Sequence, residues 1–151
     1  GKIDEAIEAY NKLKEEFPDF PVTYFRLWGI YKFDKKDIKI SQEELIIFKD
    51  KMNKAGAIKK DIQSSIIQDL FSAGSYHLNI SREMDKAIKE FSMILELIPD
   101  KVEGKYNLAI SYMNKYIYGN NEDDYNKGIE LNSKLSRSKK RNQKQRGKSK
   151  K

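Results

Sequence analysis

Cysteine is absent from the 151 residues, which excludes a disulfide framework, a thiolate zinc site and a cysteine nucleophile. A single histidine, His77, leaves no room for a multi-histidine metal site or a histidine dyad. Valine occurs only twice, and no segment sustains the apolar–polar alternation of a half-buried strand, so a sheet has little to be built from. The longest aliphatic or aromatic run, Leu45 to Phe48, is far short of the roughly 20 residues needed to cross a bilayer, so no membrane span is expected. There is no Gly-rich phosphate loop, no H-E-x-x-H and no G-x-S-x-G. Enzymatic activity within these residues is therefore not expected, and neither is a cofactor or a bound metal.

What is present is charge, isoleucine and helical periodicity. Ile occurs 18 times against 10 Leu, and Lys 25 times against 5 Arg, a skew of the kind an AT-rich genome produces. The net charge of +7 is unevenly placed: positions 137 to 151 hold nine Lys or Arg and no acid, which leaves 21 basic and 23 acidic residues, a net of −2, for positions 1 to 136. Apolar residues recur at steps of three and four through Ile3, Ile7, Tyr10 and Leu13, through Ile62, Ile66, Leu70 and Phe71, and through Ala87, Ile88, Phe91, Ile94 and Leu95. Ser41 with Glu44 reads as a capping box, and Ser81 as a weaker start signal. Pro18, Pro99 and the Gly119-Asn120-Asn121 stretch mark stops. These signals predict an all-α fold with helices over about 2–16, 21–33, 42–55, 61–79, 83–97, 101–118 and 124–136.

Internal spacing sharpens the reading. Ala6 is followed by Tyr10 and Pro18, and Ala87 by Phe91 and Pro99, at the same two intervals. Each Pro then precedes a second block, Tyr24-x2-Leu27-Trp28-x2-Tyr31 in one case and Lys105-x2-Leu108-Ala109-x2-Tyr112 in the other. These blocks resemble the second helix of a tetratricopeptide repeat followed by the first helix of the next, and Phe71-x2-Gly74-Ser75-x2-Leu78 resembles a third first-helix block. The resemblance implies an α-solenoid of antiparallel helix pairs over 1–136, with small residues where helices cross closely. The sequence departs from the family at Trp28, where a small residue is preferred, and in two lengthened spacings, Trp28 to Phe48 and Ala109 to Gly128. Those extra residues are expected in longer inter-helix loops, Asp34 to Ser41 and Asn120 to Asp124. Gly1 stands in place of Met and the first repeat lacks its first helix, which reads as a fragment of something longer.

Function in this family resides in a concave groove lined by first helices, where a peptide or helix of another protein lies. The resemblance places Phe25, Gly29 and Phe33, Ser72 and Tyr76, and Tyr106, Ile110 and Met113 on that groove. Phe25→Ala and Tyr106→Ala are then expected to weaken binding without unfolding the chain. The clamp by which some members hold a terminal carboxylate is not evident, since Gly29, Tyr76 and Ile110 stand where Asn would be. The segment 137–151 has no apolar residue and is expected to be disordered. Its Arg137, Lys139, Lys140, Arg141, Lys144 and Arg146 open a second possibility, RNA or DNA binding by counterion release. Self-association through uncovered solenoid ends is a further expectation, and a cytoplasmic location the default one. His77, the acidic clusters and the Asn79-Ile80-Ser81 acceptor pattern read as structural.

Overall fold

The computed structural model describes residues 1–148, and their side chains as far as Arg137. Seven α-helices follow one another among the described residues, with no strand: α1 (Lys2–Glu16), α2 (Pro21–Gly29), α3 (Ile38–Lys54), α4 (Lys59–Tyr76), α5 (Met84–Leu97), α6 (Val102–Gly119) and α7 (Glu122–Lys148). Two compact units divide the chain, Gly1–Ile66 and Ile67–Lys151.

In the first unit α2 is the central helix and packs against α1 and α3. Pro21 sits in its first turn, where a missing N–H costs nothing, and the Tyr24 hydroxyl donates to the Pro18 carbonyl at 2.7 Å across the preceding bend. Its side chains are buried on almost every side, Thr23, Tyr24, Phe25, Leu27 and Trp28 among them, as befits a helix covered by neighbours. The Phe25 ring lies 4.9 Å from that of Trp28 and 4.8 Å from that of Phe48 on α3. Trp28, at a position where the resemblance implies a small residue, is buried, and Phe33 meets it edge-on at 6.0 Å. The Lys14 amine ties α1 to α3 by donating to Glu44 at 2.6 Å, and it also rests 5.0 Å from the Tyr24 ring centroid.

Two local expectations are corrected here. The Ser41–Glu44 capping box does not form, because Asp37 supplies a carboxylate earlier: its Oδ1 accepts from the Ile40 N–H at 3.0 Å and α3 begins at Ile38. Ser41 instead donates to the Ile38 carbonyl, and Glu44 is turned to Lys14. The lengthened spacings are not long loops either. A π-helical turn, Ile30–Lys35, prolongs α2 and leaves only Lys36 and Asp37 before α3, and Asn120 and Asn121 alone separate α6 from α7. The extra residues went into helix because it pairs their backbone groups internally, which a loop would leave to solvent.

The same closing device recurs. Lys36, Arg82 and Asn120 each adopt a left-handed conformation, with φ of 56°, 56° and 53°. At the first two, the N–H groups of this residue and the next both reach back to one carbonyl, Tyr31 or His77. Beside the second turn, the His77 imidazole lies 3.1 Å from the Ser81 hydroxyl and 3.2 Å from the Glu83 carboxylate, a structural contact that links its two ends.

In the second unit α5 packs against α6, and α6 against α7. Ala87, Phe91, Met93 and Ile94 of α5 are fully covered, and Phe91 meets Phe71 at 5.9 Å. Gly104 near the start of α6 lies so close to α5 that a Cβ there would stand 3.1 Å from Leu95 and 3.3 Å from Ile94. The backbone of α7 remains helical through Lys148, so the segment expected to be disordered from 137 joins the folded part with no break in helix; residues 149–151 lie outside the described residues.

Phe25 has no exposed surface, so it is a core residue and not a groove contact. Phe25→Ala is expected to cost about 3–5 kcal/mol of stability, read as a lower urea midpoint, because both of its ring partners would face a cavity.

Candidate functional site

The eight residues expected on a groove are dispersed by the structure into three groups. Phe25 and Gly29 are buried within α2, and Phe33 is half-buried against Trp28, so these three form part of the first unit's core and its edge. Ser72 and Tyr76 are exposed on α4. Tyr106, Ile110 and Met113 come together, at successive turns of α6, along one side of a cavity.

That cavity, of about 260 Å³, lies between α6 and α7 and is closed on the α7 side by Gly128, Ile129 and Asn132. A second cavity of about 620 Å³ adjoins it, sharing Tyr106 and Asn132 and running past Val102 to Leu135 and Ser136. Gly128 is what brings the two helices together at the floor: a Cβ there would stand 2.7 Å from the Met113 sulfur and 3.3 Å from the Ala109 carbonyl oxygen. This is a close crossing at the pair of small residues that the sequence spacing singles out. Tyr106 is 56% exposed, Val102 48% and Ile129 41%, so the groove has apolar walls open to solvent. The first cavity holds no carboxylate, imidazole or ammonium group, and its polar atoms are the Tyr106 hydroxyl and the amides of Asn114 and Asn132. Such a lining supports apolar contact with a few directed hydrogen bonds, and Glu103 adds a carboxylate to the adjoining cavity. Among the described residues, no group of three or more His, Cys, Asp or Glu side chains is placed to hold a metal ion.

The α7 half of the groove was only partly legible beforehand. Gly128 follows from the repeat spacing, but Ile129, Asn132 and Leu135 carry no mark beyond helical periodicity. A comparison within the second unit shows what their positions mean. Ala87 is followed seven residues later by Ile94, and Gly128 seven residues later by Leu135. Ile94 of α5 receives the start of α6 at Gly104, whereas Leu135 of α7 lines the second cavity.

The adjoining face of α6 is held by charge. The Lys115 amine lies 2.7 Å from Asp85 of α5 and 3.8 Å from Asp124, which is buried in the first turn of α7. Hydrogen bonding to Asp85 raises the Lys115 pKa above its ordinary 10.5, and burial together with the Asp124 charge raises Tyr112 above 10.0. For both groups the folded state favours the protonated form, so the stabilisation is complete below about pH 10 and is lost as pH climbs through the raised values.

Thermal unfolding midpoints are therefore expected to fall as pH rises above about 10. The fall should be shallower in Lys115→Met, Tyr112→Phe; an unchanged pH profile in that double variant would show that other groups carry the effect. No protein-family model, no curated protein and no solved structure matches the chain.

Proposed function

We propose that this chain is a non-enzymatic, tetratricopeptide-like helical-repeat scaffold that binds a helix or peptide of another protein, and that the groove between α6 and α7 is where it does so. One observation carries the reading: three groove residues expected from the repeat spacing, Tyr106, Ile110 and Met113, line a single apolar cavity that the next helix does not cover. A helix suits this groove better than an extended strand. Leu135 and Gly128 of α7 repeat the placement of Ile94 and Ala87 of α5, and on α5 that surface receives a helix, α6. The occupant would set apolar side chains against Ile110, Met113 and Ile129, with the Tyr106 hydroxyl and the Asn132 amide as directional contacts. Most of the free energy would come from a few anchors seated where water is expelled.

Of the sequence-derived contacts, the proposal keeps Tyr106, Ile110 and Met113, adds Ile129 and Asn132, and drops the buried Phe25 and Gly29. The α-solenoid arrangement belongs to the proposal as well, supported by the shared Ala, aromatic and Pro spacing.

The test is capture of proteins from a nuclease-treated native lysate on the 1–151 chain and, in parallel, on the Tyr106→Ala, Ile110→Ala variant. Bound protein should drop at least about tenfold on the variant while its far-UV circular dichroism and melting midpoint stay near those of the parent chain. A protein retained equally by both chains would remove the groove from the proposal.

A further inference from the structure

The C-terminal half of α7 carries a feature that the groove does not use. After Glu130 the described helix contains no acidic residue and eight basic ones, from Lys134 to Lys148. At 3.6 residues per turn, Arg137, Lys140, Arg141, Lys144 and Lys148 fall within an arc of about 100° on the helix. The residues of α7 that are buried or half-buried are Asp124, Gly128, Leu131 and Leu135, and their register is centred roughly 150° away from that arc. The basic stripe and the packed face thus occupy nearly opposite sides of one continuous helix. Lys139 and Arg146 fall at the register of the packed face, which makes them an internal control.

The stripe has a cost that points to its partner. Arg137 and Arg141, Lys140 and Lys144, and Lys144 and Lys148 are like charges four residues apart, each pair opposing the helix by a few tenths of a kcal/mol. A polyanion removes that repulsion. Residues 137 to 148 span about 18 Å as helix. A nucleic-acid duplex presents a phosphate about every 1.7 Å of its axis, more than enough for five cations. An anionic bilayer fits less well, because membrane-lying helices anchor through an apolar face and no residue from Arg137 to Lys148 is apolar. We propose that this stripe is a second binding element, independent of the groove, that takes the sugar-phosphate backbone of a nucleic-acid duplex along a helical face.

The experiment uses the full chain and follows fluorescence anisotropy of a labelled 20-base-pair DNA duplex, a matched RNA duplex and, separately, phosphatidylserine-containing vesicles. Five phosphate contacts predict that log K falls against log salt with a slope of about −4 to −5, and that helicity rises on binding. Arg141→Gln, Lys144→Gln should reduce that slope by about 2 and lower affinity at least about tenfold. Lys139→Gln, Arg146→Gln, which removes the same charge, should leave both nearly unchanged. Preference between the two duplexes would identify which phosphate backbone is the source. Equal losses in the two variants, no binding to either duplex, or tighter binding to vesicles would each overturn the proposal. Retained duplex binding by Tyr106→Ala, Ile110→Ala separates this outcome from that of the groove.

Discussion

Packing of aromatic rings into the crossing points of short amphipathic helices is the interaction on which each unit depends. An amphipathic helix of fewer than 20 residues is marginal by itself in water and is stabilised chiefly by covering its apolar face. In the first unit that covering centres on Phe25, held between Trp28 and Phe48. In the second it centres on Phe91, set against Phe71, with Met93 and Ile94 beside it. Where a ring is committed to such a crossing it is unavailable to a partner, which is why the aromatic block Tyr24 to Tyr31 builds a core while Tyr106, one helix face round from Leu108, remains open.

The ion pairs act on a smaller scale. Several of them, such as Lys12 with Glu8 and Lys134 with Glu130, are exposed pairs one helical turn apart, whose contributions are small and salt-sensitive. Partly buried pairs join separate helices: Lys14 to Glu44 in the first unit, and Lys115 to Asp85 and Asp124 in the second. These select which helix faces meet, since misregistration would bury a carboxylate without its amine. The surfaces that neither rings nor ion pairs close are an apolar channel between α6 and α7 and, further along α7, a run of basic residues.

Much of the architecture was readable in advance because helical periodicity, capping residues and Pro positions are local signals. The stops at Pro18 and Pro99 and the starts near Pro21 and Met84 fall close to where the helices end and begin. The local signals failed where two choices were nearly equivalent. Asp37 and Ser41 both suit a helix start, and the helix begins at the earlier one, whose carboxylate accepts the Ile40 N–H. The lengthened spacings could have been loop or helix, and local sequence did not weigh the backbone hydrogen bonds that favoured helix. The groove was half legible, since the α6 residues follow from the repeat register while Ile129, Asn132 and Leu135 face it only because α7 crosses at Gly128.

The sequence by itself determined the all-helical class, the approximate helix boundaries, the small-residue crossing of Ala109 with Gly128, and the separation of a near-neutral body from a basic end. Each of these rests on composition or on spacing along the chain. Only the tertiary structure decided that Phe25 is core while Tyr106 is surface, that Glu44 belongs to Lys14, and that α7 crosses α6 at Gly128. Those outcomes depend on which face of each helix a neighbour covers, and residues far apart in sequence set that by how closely their backbones can approach.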